Sequence, residues 1–144
     1  MRISQELAEA MIAHALEEHP IEACGILCGP EDLPARVVPM ENELDSETAY
    51  ALEPAQQLSV WEGMYDRGEE LAGTYHSHTR HEAYPSPRDV EYAVYDVPHL
   101  IICTKGGPVL RALASIEPAC IAAAMASRSR DRPMCVCWRY PRSC

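Results

Sequence analysis

The chain has no phenylalanine, so the bulk of its core has to come from Tyr, Trp, Leu, Ile and Val. It also lacks an excess of basic side chains: twelve Lys and Arg face twenty-two Asp and Glu, for a net charge of −10. That balance speaks against nucleic acid as a partner, because its binders carry a basic footprint. It equally disfavours docking on anionic lipid. No apolar run approaches the roughly 20 residues of a membrane-spanning helix. The first residues form an acidic amphipathic segment, not the charged-then-apolar pattern of a secretion signal, so the cytoplasm is the expected location. Internal repeats are absent as well. At 144 residues the chain suits one domain with a single core.

Seven cysteines make an odd set without the spacing of a small disulfide scaffold. Cys24 and Cys28 flank a strand-like run, where they stand too far apart to share one ion or to bridge. With Cys103 they read as small core residues, reduced and inert.

Ser4 caps a first helix whose apolar face is expected at Ile3, Leu7, Ala10 with Met11, and His14 with Ala15. It ends before His19-Pro20, because a residue preceding Pro is pushed out of the α region. Residues 21–29 are a short apolar run closed by Gly29-Pro30 and predict a buried strand. Residues 35–40 predict a second strand and 41–50 a polar, acidic loop. Pro54 suits the first position of a second helix, with Leu58, Trp61 and Tyr65 as its inward stripe and Val60 and Met64 flanking it. Trp61 is thus assigned to core packing. Residues 99–104 and 109–113 predict a hairpin around Lys105-Gly106-Gly107-Pro108. A mixed β-sheet flanked by helices, an α/β (α+β) fold, follows from this order.

The chemistry concentrates in His76-Ser77-His78-Thr79-Arg80-His81-Glu82-Ala83-Tyr84-Pro85-Ser86-Pro87-Arg88-Asp89. An apolar run leads into it and an apolar-periodic segment follows, so it predicts strand, loop, helix. Strand residues two apart share a face, which lets His76 and His78 aim at one point. Ser86-Pro87-Arg88-Asp89 has the form of a helix start, with Ser at the N-cap, Pro at N1 and Asp at N3. The loop can fold that helix end back, bringing Asp89 beside the imidazoles. Two His and one carboxylate with a fourth position open is the ligand set of a catalytic zinc. Taken separately, each piece also has a plain reading as a polar strand face or an ordinary cap.

The order His-x-His, seven residues, Ser, two residues, Asp resembles the signature of the JAMM (MPN+, Mov34-type) zinc metallopeptidases. The resemblance runs from the first helix to about Leu113. It implies a JAMM/MPN, cytidine-deaminase-like architecture and one zinc per chain on His76, His78 and Asp89. It further implies Ser86 as the hydroxyl that supports the tetrahedral intermediate. The segment Pro20-Ile21-Glu22-Ala23-Cys24-Gly25-Ile26-Leu27 is similar to the family stretch that carries the general-base Glu, which points to Glu22; alone, Glu22 could equally be a solvated strand-end carboxylate. Thr79 stands where many members have Pro, which bears on loop stiffness. His81 reads as a solvent-exposed loop residue, and Asn42 is given no chemistry.

Within the family the chain looks like the small stand-alone bacterial members. This implies a ubiquitin-like sulfur carrier protein as substrate, cut after its C-terminal Gly with release of an added cysteine, a step of cysteine biosynthesis. The alternatives are trimming of longer extensions to expose Gly-Gly, and a non-catalytic MPN scaffold. The resemblance also allows a homodimer.

Residues 1–113 are expected to form the metallopeptidase domain. They carry a net charge of −13, whereas residues 114–144 carry +3 and four of the seven cysteines. This atypical basic tail lacks the alternation of a sheet strand and is expected to pack poorly or not at all. Its Cys135-x-Cys137 is too short a pattern to mark a metal site.

Overall fold

A computed structural model describes residues 1–30, 33–113 and 136–139. The described strands form one six-stranded mixed sheet in the order β2-β1-β3-β4-β5-β6. They are β1 (Cys24–Cys28), β2 (Arg36–Met40), β3 (Leu71–His78), β4 (His99–Cys103), β5 (Val109–Leu113) and β6 (Val136–Arg139). β3 and β4 run parallel, and the other neighbours are antiparallel. The helices are α1 (Gln5–Glu17), α2 (Pro54–Arg67) and the short α3 (Pro87–Glu91). The mixed-sheet α+β fold expected from the sequence is the one observed. Of the segment after residue 113, Val136–Arg139 pairs with β5 as β6; the expected tail otherwise lies outside the described residues.

β3 is the centre of the molecule, buried from Ala72 to His78. Its two faces serve different purposes because side chains alternate along a strand. Tyr75 points into the core under α1, with Leu27, Leu100 and Ile102. It is among the largest fully buried side chains and supplies bulk that Phe provides in other cores. Its hydroxyl is not left unpaired, since it meets His14 Nδ1 of α1 at 2.8 Å. Thr74, His76 and His78 point to the opposite face, which α2 covers farther along β1 and β2 through Met64 on Ile26, Cys28 and Met40.

Ser4 caps α1 as expected, accepting from Leu7 N. The buried face of α1 is Ala8, Met11, Ile12 and Ala15, a rotation from the predicted Leu7 and Ala10, which are half-buried and exposed. The four observed positions are a cleaner i, i+3, i+4, i+7 set, and their small members let the helix lie close to the sheet. On α2, Pro54 opens the helix and Gly68 closes it in the left-handed conformation at φ 62°. Its predicted stripe is corrected: Leu58 is 59% and Tyr65 87% exposed. Val60, Trp61 and Met64 turn inward instead. Trp61 also meets the Tyr95 ring edge-on at 5.8 Å.

Cys24, Cys28 and Cys103 are free and buried. Burial pushes the Cys24 thiol up to about 12, so at neutral pH it is an inert thiol. Among the described residues no helix is long and apolar enough to cross a membrane.

Candidate metal centre and the residues around it

The C-terminal end of β3 and the start of α3 meet on the face opposite α1. His76 Nε2 lies 3.1 Å from His78 Nε2. The Asp89 carboxylate spans both, with Oδ1 3.5 Å from His76 Nε2 and Oδ2 3.2 Å from His78 Nε2. One donor atom from each residue lies within 4.8 Å of the others. The strand alternation and the cap geometry read from the sequence produce this convergence. Asp89 reaches it because α3 begins with a reciprocal capping box. Ser86 Oγ accepts from Asp89 N at 3.2 Å, and Ser86 N donates to Asp89 Oδ2 at 2.6 Å. The short helix therefore aims its carboxylate before any ligand arrives.

The protonation pattern suits a cation. His78 Nδ1 donates to the Glu82 carbonyl at 2.9 Å, which turns Nε2 toward Asp89. Burial alone would push this ring down, but the hydrogen bonds to Asp89 and to the Glu82 carbonyl raise it, and a cation taking the place of the Nε2 proton would meet that nitrogen's lone pair. His76 Nδ1 is buried without a hydrogen-bond partner. That ring is held by stacking on Tyr50, at 4.5 Å between centroids and 19° between planes. Burial pushes His76 down, favouring its neutral form. Burial alone would push Asp89 up, but the hydrogen bonds to His76 and His78 outweigh it and hold the carboxyl well below the usual range. Two imidazole nitrogens and a carboxylate oxygen at this spacing are the donor set that zinc takes. The residues present fit a single divalent ion.

Glu22 precedes β1 and is 4% exposed, which removes the solvated strand-end alternative. Ser77 locks its neighbour at two points: Ala23 N donates to Ser77 Oγ and Ser77 N to Ala23 O, both at 2.8 Å. With Cys24 paired to His76, the same antiparallel count sets Glu22 opposite His78. Burial raises the Glu22 carboxyl to about 7, with the His78 charge pulling it down and Asp89 pushing it up. A carboxyl poised near neutrality can both take and return a proton.

Residues 41–52, which take in the polar loop expected at 41–50, form a wall beside the group. Asn42 organises it with four hydrogen bonds. Its Nδ2 donates to the Glu22 and Ala49 carbonyls at 2.9 and 3.0 Å, and its Oδ1 accepts from Leu44 N and Ala51 N at 3.1 and 3.2 Å. Glu22 N donates to Ser46 O at 2.9 Å, so both backbone groups of Glu22 are fixed by this loop. The loop is tied in turn to the residues just after His78, where Thr79 Oγ1 donates to Glu47 O at 3.0 Å and Arg80 pairs with the Glu47 carboxylate. Thr79, where the resemblance expects Pro, thus cross-links the two segments. An Asn at the end of a strand, where its side chain can satisfy turn backbone, was the available signal for Asn42; Tyr50 and Ser77 gave none beyond polarity.

His81 is exposed and stands outside the His76, His78 and Asp89 group, as its loop position suggests. Beside the group runs a groove of about 350 Å³, lined by Leu44, Leu52, Arg88, Tyr92 and Val94 among others.

Relatives carry the same region. Residues 4–116 match the family described as prokaryotic homologs of the JAB domain. The chain is 45% identical over 108 residues to the CysO-cysteine peptidase of Mycobacterium tuberculosis, a match covering 74% of each chain. It is 36% identical over 105 residues to a Thermus thermophilus protein named "Probable TtuB-protein conjugate cleaving protease", covering 72% of this chain and 70% of that one. A Desulfitobacterium hafniense protein solved in solution superposes with a TM-score of 0.70 at 31% identity, over 78% of this chain and 82% of the other. The family match spans the capped first helix, Glu22, the histidine strand and Asp89 alike, so the chain belongs to the prokaryotic JAB-domain family.

Proposed function

We propose that the protein is a zinc-dependent peptidase that cuts after the C-terminal Gly of a ubiquitin-like sulfur carrier protein and releases cysteine. The convergence of His76, His78 and Asp89 beside the buried Glu22 carboxyl is the observation that carries this reading. Zinc, when bound, supplies Lewis acidity, polarising a carbonyl and acidifying water. His76 Nε2, His78 Nε2 and the Asp89 carboxylate would hold it.

The chain's own residues supply the remainder. The Glu22 carboxylate takes a proton from water as the water oxygen bonds to the glycyl carbonyl carbon, then returns it to the departing amine nitrogen as the C–N bond breaks. The Ser86 hydroxyl already accepts from Asp89 N, which leaves its one proton to donate to the developing oxyanion. Tyr50 and the 41–52 wall hold His76 and Glu22 in register. All five positions are filled, which argues against the non-catalytic scaffold. Names of relatives that act on CysO–cysteine and on TtuB conjugates support a carrier tail as substrate. The three buried reduced cysteines suit a cytoplasmic setting.

A carrier ending Gly-Gly-Cys, incubated with zinc-loaded protein, should lose the mass of one cysteine residue; chelation should stop the reaction and zinc restore it. An unchanged mass with zinc bound would overturn the proposal. Cleavage of longer or branched extensions, favoured by the Thermus relative's name, is the second reading; it stands if those are cut and the single cysteine is not.

A further inference from the structure

We infer that Arg88 is a specificity-determining residue that receives the free α-carboxylate of the departing C-terminal residue, making the site selective for trimming over internal cleavage. This rests on the peptidase reading above. Among the described residues Arg88 is the Lys or Arg that lines the groove; Arg2 and Lys105 do not. Arg36 and Arg67 are engaged by Glu69, and Arg80 by Glu47. Among the described residues no carboxylate forms an ion pair with Arg88. It is exposed, lines the groove beside Asp89, and its guanidinium lies 5.3 Å from the centroid of the Tyr92 ring. A guanidinium held over an aromatic face keeps its N–H fork free for a planar anion, and a carboxylate matches that fork.

The groove narrows what anion this can be. Arg88 and Asp89 line it together, so an anion on the guanidinium lies along the groove that the metal-facing carboxylate borders. When a single residue leaves, its carboxylate lies one residue beyond the scissile bond, at most about 3.6 Å along an extended chain. A terminal residue brings its backbone carboxylate that close to the reacting carbon whatever its side chain, whereas an internal residue does so only when it is acidic. A lysine joined through its side-chain amine puts its backbone several bonds away, and an internal residue has a neutral amide there. The neighbouring groove wall is apolar, with Leu44, Leu52, Tyr92 and Val94, which suits a small uncharged side chain such as a thiol-bearing one.

The test pairs two substrates: a carrier ending Gly-Gly-Cys with a free carboxylate, and the same carrier ending in Cys amide. Zinc-loaded wild-type protein should favour the acid by about 10- to 100-fold in kcat/KM, the range of one charged hydrogen-bonded contact. Arg88→Gln should bring the acid-to-amide ratio close to one, chiefly through the KM of the acid, with zinc content retained; Arg88→Lys should keep part of the preference. In parallel, calorimetry with Gly-Gly-Cys peptide and its amide on metal-free full-length protein should show the same preference, again lost in Arg88→Gln. Equal handling of acid and amide by the wild type, or a preference that survives Arg88→Gln, overturns the inference. If loaded wild type cleaves neither carrier, the peptidase reading fails, while the binding comparison still decides Arg88. If Arg88→Gln does not fold, the wild-type and Arg88→Lys ratios decide it.

Discussion

Glu22 and Ser86 both face the reacting bond in the proposed chemistry, but the structure gives them different second duties. Among the described residues the Glu22 carboxyl makes no hydrogen bond or ion pair that holds another group, so Glu22→Gln should keep the metal and lose turnover by about 10²–10⁴-fold, the contribution of a general acid–base group. Steady-state rates with elemental analysis check this, and a wild-type rate would place the base elsewhere. Ser86 is half of the capping box that aims Asp89. In Ser86→Ala the backbone N–H of residue 86 still reaches Asp89 Oδ2, while the cap is lost at about 1 kcal/mol. We expect slower turnover together with somewhat weaker zinc binding, measured by chelator competition. An Asp89→Ala variant should lose zinc altogether; metal retained there at wild-type affinity would refute the ligand set.

At the scale of elements, the wall of residues 41–52 is where the base is fixed. Asn42→Ala strips two carbonyls and two N–H groups of their partner at once; three of these bonds are part-buried, each such loss costing about 1–3 kcal/mol, and the one to Leu44 N is exposed. None of its bonds goes to His76, His78 or Asp89, so zinc content should stay while kcat falls and KM changes little. Loss of zinc in this variant would mean that the wall supports the ligands directly. Between β1 and β3, Gly25 marks a close approach: a Cβ there would stand 2.5 Å from the Val38 carbonyl oxygen and press on the Tyr75 ring. Backbone on one side and a fully buried ring on the other leave no room to yield. Gly25→Ala should therefore destabilise the protein by about 1–3 kcal/mol, read as a lower urea midpoint.

At the scale of the whole molecule, charge sets the response to solution conditions. The Arg36 hydrogen bond outweighs burial and, with Arg67, holds the Glu69 carboxyl down to about 2 from an ordinary value of 4.5. A depressed acid contributes stability that is full above its unfolded value and is lost as pH falls through its folded one. Between about pH 4.5 and pH 2 the wild type should lose stability that Glu69→Gln never had, so the two melting curves should converge at the acid end. Parallel curves would show the contact to be idle. The −13 charge of residues 1–113 also favours a carrier with a basic face, and the association rate should then fall as salt rises.

The sequence by itself determined the parts that local rules govern. Alternation along a strand put His76 and His78 on one side, and the Ser-Pro-x-Asp start folded Asp89 toward them, because both are set by backbone geometry within a few residues. The helix cap at Ser4, the helix start at Pro54 and the hairpin strand 109–113 were legible for the same reason. Which face each helix buries was not. The stripe of α2 turned from Leu58 and Tyr65 to Val60 and Met64, since apolar residues on both sides of a helix leave the choice to whatever surface it meets. Only the tertiary structure decided that Glu22 is buried opposite His78, that Asn42 and Ser77 pin it there, and that Tyr50 stacks on His76. Those contacts join residues some 20 to 55 positions apart, where pairing is fixed by sheet register and packing and no local pattern records it.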